Sequence, residues 1–552
     1  MWSRAGGAGA AEAPGVYLPR MTDRLPEFLR QIRDHSTEVS RAWWDAAVSG
    51  RESDYRRLEE WRNRVDEVYR DPGFFAELTG ARATPSGDRE GDRIVELLHL
   101  EALPRQVDPA LSERINRLST GIERDFSTFR PVVRGERRTF NDLEIALSRE
   151  RDAAVLEASW EGLKSVGPVV AARLDELVRL RNEAAEAVGF PDFYHLKLGV
   201  GEQEPAAIDR FFERLLGLTD APFAELKAEI DDGLAALHGV EVDELRPWHY
   251  QNSFFQEMPS VYGIDLDEVY EGQDLLDIAR RFYEGIGLEV QPILDRSSLY
   301  EEEGKDQHAF ATDIDREGDV RILLNLRPNE RWMGTTLHEL GHAVYDEGIA
   351  RELPWELRRP AHTLTTEAIA MLFGRLSRDA EWMREMGILD PASAEALRPH
   401  AIRQTRGQML IFSRWAMVMR GFEKELYRAP DQDLNRLWWL LVERYQGLRA
   451  PQRPDGAADY AAKIHVVSAP VYYHNYLLGE CFASQIDQRL RAEVLDGRPT
   501  YCGESGVGEW LEERIFRPGA LFPFDALAEA ATGSPVGPDA FAAQFLAEVA
   551  GR

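Results

Sequence analysis

One five-residue pattern, H-E-x-x-H at 338–342, constrains this 552-residue chain more than any other stretch. In an α-helix, residues four apart project from the same face, one turn above the other. His338 and His342 can then bind one divalent metal ion, for which Zn²⁺ is the usual occupant. Glu339 lies beside the first histidine, where a carboxylate can accept a proton from a water molecule that the metal activates.

The flanking residues favour a helix around this pattern. Asn329 is a candidate N-cap, because its side chain can accept a backbone N–H of the first turn. Gly348 is predicted to end the helix, because glycine adopts the left-handed conformation of a helix terminus at little cost. The alternative interpretation is a chance match on a surface helix, and the rest of the chain decides between the two.

A catalytic zinc site needs three protein ligands and one open position for water. The downstream candidates for the third ligand are His362, Glu367, Asp379 and Glu381. Glu367 comes near the start of an otherwise apolar helical stretch, where a buried carboxylate is costly unless it is paired or bound to metal. We therefore predict Glu367 as the third ligand, the alternative being a helix-start glutamate favoured by the helix dipole. His362 is predicted to lie in a loop or beside the ligands.

A second candidate segment, 463–476, is dense in proton donors. Amide hydrolysis forms a tetrahedral oxyanion, which a neutral His465 and a tyrosine hydroxyl can stabilise. Tyr473 and Tyr476 are three residues apart and share a face if the segment is helical. Lys463 can bind a substrate carboxylate. The alternative interpretation of this segment is plain aromatic packing.

Composition excludes several classes of partner. Hydrophobic residues make up 44% and charged residues 29% of the chain, as in an ordinary globular protein. The net charge of −30 argues against binding to nucleic acid or to an anionic membrane.

Two cysteines, Cys481 and Cys502, are too few for a disulfide framework. Nothing in the sequence indicates an oligomeric state.

The chain also lacks the apolar segments that membranes and export require. No window approaches about 20 uninterrupted apolar residues, so no membrane span is expected. Residues 1–20 are rich in Gly and Ala without the apolar run of a signal peptide, and they are predicted to form a disordered extension. Met21 is an alternative start. These observations predict a cytoplasmic location.

Periodicity predicts a mostly helical fold with one small sheet. Apolar residues recur at three- and four-residue spacing from Asp23 to Asn116 and again over 143–187. The β signal is confined to 308–314 and 320–326, which read as an antiparallel hairpin leading into the H-E-x-x-H helix. An exposed strand edge beside that helix can hold an extended peptide by backbone hydrogen bonds.

Five segments in this order resemble a known family. They are 248–251 (W-H-Y-Q), 308–309 (H-A), 338–342 (H-E-L-G-H), 366–369 (T-E-A-I) and 463–476 (K-I-H followed by Y-H-N-Y). With them the chain resembles the angiotensin-converting-enzyme family of zinc dipeptidyl carboxypeptidases. It more distantly resembles the thimet oligopeptidase and oligoendopeptidase family. The resemblance implies two helical lobes with a deep channel between them and a small antiparallel sheet beside the H-E-x-x-H helix.

The resemblance also implies roles for particular residues. One Zn²⁺ per chain is held by His338, His342 and Glu367, which makes the chain a gluzincin, and Glu339 is the general base and later the acid. The free C-terminal carboxylate of the peptide is implied to bind Gln251, Lys463 and Tyr473. The penultimate residues of the peptide are implied to lie beside His308 and Ala309, and the oxyanion is implied to be stabilised by His465 and Tyr476.

Four departures from the family pattern accompany the match. The interval from His342 to Glu367 is one residue longer than in the converting enzyme and fits the oligopeptidases better. The interval from His465 to the tyrosines is also one residue longer, which leaves both Tyr472 and Tyr473 as candidates for one position. The other two departures are Asn475 in place of a chloride-binding arginine and Met371 in place of an aspartate that orients a ligand histidine.

These observations together predict a zinc metallopeptidase that releases dipeptides from the C-terminus of short peptides. The alternatives are a thimet-type oligoendopeptidase or, because 338–348 resembles thermostable carboxypeptidases, a metallocarboxypeptidase. A relic that only binds peptides and a closed structural metal site are the non-catalytic alternatives. The expected organisation is one domain over 21–552, with a lid-like helical lobe over 21–240 and a catalytic lobe over 241–552.

Overall fold

The computed structural model describes residues 25–261 and 266–546. The extension predicted over 1–20 and the alternative start at Met21 lie outside the described residues. The structure is 70% helical, and its described residues form two small antiparallel sheets, which confirms the predicted mostly helical fold. In the part of the chain that the structure describes, no helix is both long enough and apolar enough to cross a membrane.

The helices follow one another with short connections. Those of the first half are α1 (Leu25–Ser49), α2 (Glu52–Arg70), α3 (Pro72–Ala83), α4 (Arg89–Ala102), α5 (Pro109–Thr128), α6 (Phe140–Arg149), α7 (Ala153–Lys164), α8 (Gly167–Ala187), α9 (Phe193–Val200), α10 (Pro205–His238), α11 (Asp267–Tyr270), α12 (Leu275–Gly285) and α13 (Gln291–Arg296). Those of the second half are α14 (Glu330–Gly348), α15 (Thr363–Gly374), α16 (Ala380–Glu385), α17 (Pro391–Arg428), α18 (Leu434–Gln446), α19 (His465–Ser468), α20 (Tyr473–Glu493), α21 (Gly506–Leu511), α22 (Phe524–Thr532) and α23 (Asp539–Leu546).

Aspartate side chains begin many of these helices. In each case the carboxylate accepts a backbone N–H of the first turn, which satisfies donors that the helix itself leaves unpaired. The capping residues of this kind are Asp71, Asp108, Asp152, Asp192, Asp274, Asp379, Asp390 and Asp433. Part of the acidity of the chain is therefore structural.

Two antiparallel hairpins interrupt the helices. Strands β1 (Val132–Val133) and β2 (Glu136–Arg137) form a short hairpin that the sequence did not predict. Strands β3 (Phe310–Asp313) and β4 (Val320–Leu323) pair in the order Phe310↔Leu323 to Asp313↔Val320. The second hairpin confirms the prediction for 308–326, with shorter strands, and leads directly into α14.

Helix α1 packs onto the β3–β4 hairpin. The ring of Trp43 stacks on that of Phe310, with centroids 4.2 Å apart. The backbone carbonyl of Ala47 accepts the N–H of Asp306 at 2.8 Å. Directly after the helix, Gly50 lies so close to Gly304 that a Cβ on Gly50 would be 2.1 Å from the carbonyl oxygen of Gly304. The first described helix is thereby fixed to the strands next to the H-E-x-x-H helix.

Helices α14, α15 and α20 form the centre of the fold. Asn329 begins α14 by accepting the N–H of Trp332 at 3.0 Å, as predicted. Gly341 faces α15, where a Cβ on it would lie 2.8 Å from the Cα of Ala370. Gly479 of α20 faces α15 from another side, and its Cβ would lie 3.2 Å from the Cβ of Glu367. These small residues let the three helices approach closely.

The predicted reason for a glycine at 348 is wrong. Helix α14 does end at Gly348, but this residue does not have a positive φ, and the capping residue Ile349 is extended. A Cβ on Gly348 would lie 2.7 Å from the ring of Phe516. The position therefore requires glycine because of a tertiary contact, which local sequence does not reveal.

The close contact of α14 and α15 predicts the effect of Gly341→Ala. The added methyl group meets backbone that cannot rotate away, so we expect a loss of about 1–3 kcal/mol of stability. This loss of stability is measured as a lower midpoint of thermal unfolding. Gly217→Ala is the matched control, because Gly217 is exposed within α10 with no atom near its Cβ, and it should gain about 0.5–1 kcal/mol. Equal midpoints for the two variants would contradict the packing argument.

Candidate active site

His338, His342 and Glu367 come together as the sequence predicts. Their nearest ligand atoms all lie within 4.8 Å of one another. Oε2 of Glu367 is 3.7 Å from Nε2 of His338 and 3.9 Å from Nε2 of His342. Tetrahedral coordination with bonds of about 2.0 Å places ligand atoms about 3.3 Å apart, so small adjustments suffice to hold an ion.

The chemistry of the three side chains also fits a cation. Oε2 of Glu367 is buried and accepts no hydrogen bond, which is costly for a carboxylate. Burial lowers the pKa of His338 to about 4, and burial together with His338 lowers the pKa of His342. Both imidazoles are therefore neutral at physiological pH, which is the form that binds metal.

Thr366 orients one of the two histidines. Its Oγ1 lies 2.7 Å from Nδ1 of His342, and this contact leaves Nε2 of the ring free to face Glu367. Thr366 precedes Glu367 on α15, so one helix turn supplies a candidate ligand and the group that orients another. His362 is the N-cap of α15, in agreement with the prediction that it lies outside the ligand set.

Glu339 is buried on the same helix, between the ligands and strand β3. Burial, reinforced by the charge of Glu367, raises the pKa of its carboxyl to about 8, whereas the backbone N–H of Ala311 opposes this shift. The side chain therefore faces the edge of β3. A cation bound nearby would lower this pKa again. The carboxyl would then be ionised near neutral pH, which is the form that acts as a base.

The tyrosines before and within α20 are directed to two different places. Tyr472 and Tyr476 both lie close enough to Glu367 for its charge to raise their pKa values, although burial is the larger cause. Their ring centroids are 5.1 Å apart. Tyr473 instead places its hydroxyl 3.4 Å from Oε1 of Gln256. The ligand side thus has Tyr472 and Tyr476, and Tyr473 belongs to a neighbouring recess.

That recess contains Lys463 and a glutamine, Gln256, that was not singled out from sequence. Nζ of Lys463 donates to Oε1 of Gln256 at 2.8 Å, and the lysine is buried against the rings of Tyr473 and Trp415. Burial lowers the pKa of Lys463 to about 8. We call Lys463, Gln256 and Tyr473 the Lys463 recess.

Gln251, the predicted member of this group, lies in the same loop as Gln256, and its Nε2 is buried without a hydrogen-bond partner. Its Oε1 accepts the N–H of Ser260 at 2.7 Å, and its backbone is left-handed with φ of 61°. No hydrogen bond joins it to Lys463 or Tyr473 among the described residues. The structure places Gln256 next to Lys463 and Tyr473, and the sequence analysis did not single out this residue, which follows two phenylalanines in the same loop.

His465 lies beside the recess. Its ring centroid is 5.3 Å from that of Tyr473, and its Nδ1 is buried without a hydrogen-bond partner. Burial and the nearby Lys463 lower its pKa to about 4, so it is neutral. A neutral imidazole with an unsatisfied nitrogen can bond to a substrate atom.

The predicted pair at the start of β3 is only partly in place. The side chain of His308 is 94% exposed, with Nδ1 at 3.4 Å from Oδ1 of Asp306. Ala309 is partly buried against the core. The structure therefore does not bring His308 to the ligands, because the loop before β3 directs it into solvent.

Known proteins are similar to part of this chain. Residues 257–502 match the family model described as Peptidase_M2, angiotensin-converting enzyme. Angiotensin-converting enzyme of Sus scrofa is 24% identical over 377 residues, which are 61% of this chain and 28% of that protein. An angiotensin-converting enzyme-related protein of Drosophila melanogaster is 20% identical over 370 residues, covering 62% of this chain and 58% of that protein.

A third relative has a different name. Thermostable carboxypeptidase 1 of Thermus thermophilus is 25% identical over 241 residues, which are 39% of this chain and 46% of that protein. The chain thus covers less than two thirds of each of these relatives. Together the matches confirm the resemblance predicted from sequence: the chain is similar to angiotensin-converting-enzyme-like peptidases.

The contact between Thr366 and His342 predicts the effect of Thr366→Val. The substitution removes the group that fixes the ring of His342, so the affinity for Zn²⁺ should fall about 10- to 100-fold. Competition with a chromogenic chelator measures the dissociation constant. Thr366→Ser keeps the hydroxyl and should remain near the parent value. Equal affinities of the valine and serine variants would contradict the orienting role.

Proposed function

We propose that this protein is a zinc metallopeptidase acting on short peptides. The observation that carries the proposal is the cluster of two neutral imidazoles and one buried, unsatisfied carboxylate oxygen at His338, His342 and Glu367. Its family match supports the same class. Zn²⁺ in such a site supplies Lewis-acid polarisation of the scissile carbonyl and a more acidic water molecule.

The side chains of this chain would supply the remaining steps. The carboxylate of Glu339 accepts the proton of the attacking water and then donates it to the leaving amine nitrogen. Tyr472 or Tyr476 donates its hydroxyl hydrogen bond to the oxyanion, since both lie near Glu367. His465 can assist from the side of the recess.

The favoured bond choice is release of a dipeptide from a free C-terminus. The Lys463 recess supports it, because a lysine ammonium, an amide and a tyrosine hydroxyl suit a terminal carboxylate. Internal cleavage remains the second candidate, and removal of a single terminal residue is the third, favoured by the similarity to a carboxypeptidase.

Organisation and location belong to the same proposal. We propose that helices of 21–240 act as a lid over a catalytic lobe of 241–552, supported by the docking of α1 on the β3–β4 hairpin. A cytoplasmic location is supported by two free cysteines, one buried and one partly buried.

Glu339→Gln tests the peptidase proposal most directly. The amide cannot take the proton, so turnover should fall about 100- to 10,000-fold while zinc stays bound. Mass spectrometry of the products from one unblocked decapeptide reports activity and bond choice together, with and without a chelator. Metal analysis of the variant is the control. Parental turnover in this variant, or cleavage that resists the chelator, would rule the proposal out.

Gln256→Leu tests the bond choice. The variant loses a polar partner for the terminal carboxylate, so kcat/KM for a free peptide should fall about tenfold. The same peptide with an amidated C-terminus should be a poor substrate for the parent and little affected by the substitution. Undiminished cleavage of the amidated peptide by the parent would favour the internal-cleavage alternative.

A further inference from the structure

A cavity of about 560 Å³ borders the candidate site on the side of Thr366 and Tyr472. Thr366 contacts His342, and Tyr472 lies near Glu367, so the cavity adjoins the predicted ligands. Its other walls come from α4, from the end of α9 and from the loop before α15. It shares no lining residue with the Lys463 recess. We call it the Lys197 cavity, after the lysine that lines it.

Most charges on the wall of this cavity are neutralised in pairs. Both lining glutamates have a guanidinium partner, and the lining arginines have carboxylate partners. These pairs are Glu101 with Arg359, Glu202 with Arg93, and Arg105 with Asp66. None of them leaves a free charge for a ligand.

Lys197 is different. Its Nζ has no ion pair or hydrogen bond among the residues that the structure describes. The carboxylate of Glu423 interacts electrostatically with both Lys197 and Arg181. It also accepts the N–H of Val471 at 2.7 Å. Burial raises the pKa of Glu423 to about 8, so this carboxyl is mostly protonated at neutral pH. Burial, followed by the charge of Arg181, lowers the pKa of Lys197, and no carboxylate pairs with this lysine among the described residues.

His362 adds a neutral donor to the same cavity. Its Nδ1 accepts the N–H of Leu364 at 3.0 Å, and burial lowers its pKa to about 4. The proton of the neutral ring is then on Nε2. A Cβ on Gly201 would lie 3.4 Å from this Nε2, so the glycine keeps the space before it open.

Lys197 and His362 act on a common neighbour. Burial lowers the pKa of His474 to about 3, and His362, Arg420 and Lys197 contribute to the shift. The wall of the cavity thus offers an unpaired lysine and a neutral imidazole donor, whereas both of its glutamates are paired with arginines. An anionic group is what such a wall attracts.

We propose that the Lys197 cavity is a substrate subsite for an acidic side chain, bound by Nζ of Lys197 and Nε2–H of His362. The inference rests on the proposed peptidase function and adds the class of substrate. Because the Lys463 recess is the candidate for the terminal carboxylate, the separate cavity receives the glutamate or aspartate that precedes the scissile bond. The enzyme then prefers peptides with an acidic residue at this position.

Two matched unblocked hexapeptides test the subsite. They differ only in glutamate or glutamine before the scissile bond, and the readout is the ratio of their kcat/KM values with the zinc-loaded full chain. The parent should prefer the glutamate peptide about tenfold. Lys197→Met should bring the ratio close to one, Lys197→Arg should keep the preference, and Lys197→Glu should favour a peptide with lysine at that position instead.

Lys424→Met is the matched control. Lys424 is a lysine of α17 that pairs with Asp209 outside the cavity, so its loss should leave the ratio at the parental value. Thermal unfolding and zinc content report whether each variant is folded.

The outcomes separate the two proposals. A parent protein that cleaves both peptides at equal rates overturns the subsite and leaves the peptidase proposal intact. The subsite is also overturned if Lys197→Met still prefers the glutamate peptide, or if the parent prefers an acidic residue only at another substrate position. A parent that cleaves no peptide at all overturns the peptidase proposal and the subsite with it.

Discussion

The buried carboxylate of Glu367 is the constraint on which the centre of this structure depends. One of its oxygens has no hydrogen-bond donor, and two imidazoles that burial keeps neutral lie 3.7 and 3.9 Å from it. Glu480 adds a second negative charge nearby and raises the pKa of Glu367, after burial, to about 7. A cation between the three side chains relieves this arrangement, whereas no side chain of the described protein does so. The close approach of α14, α15 and α20 places the carboxylate there.

The features that sequence predicted correctly are those with a local cause. The spacing of two histidines on one helix, the cap at Asn329 and the β3–β4 hairpin all depend on neighbours within a few positions. Glu367 followed from the cost of a carboxylate on an apolar helix, which is also a local property. Periodicity and capping rules were therefore sufficient for the helix pair and its three candidate ligands.

The features that sequence missed depend on distant contacts. Gly348 is required by the ring of Phe516, and nothing near position 348 reveals this. Gln251 and Gln256 lie in one irregular loop without periodicity, so only the three-dimensional course of the loop distinguishes them. The exposed position of His308 likewise follows from a loop conformation.

The chain makes a sharp turn just before the two consecutive tyrosines. Val471 is left-handed with φ of 55°, which is strained for a β-branched side chain, and the buried Glu423 accepts its N–H. The chain turns at this point, so that Tyr472 is directed to the ligand side and Tyr473 starts α20 beside the recess. The left-handed residue thus separates two consecutive tyrosines into two sites.

The docking of α1 on the β3–β4 hairpin has a consequence for modularity. The stretch that matches the family model begins more than two hundred residues after α1, yet the strands within it are covered by Trp43 and bonded through Ala47. Excised from the chain, that stretch would expose Phe310 and leave the N–H of Asp306 unpaired. The stretch that matches the family model is consequently not self-contained in this chain, because part of its surface is completed by a helix that lies far upstream.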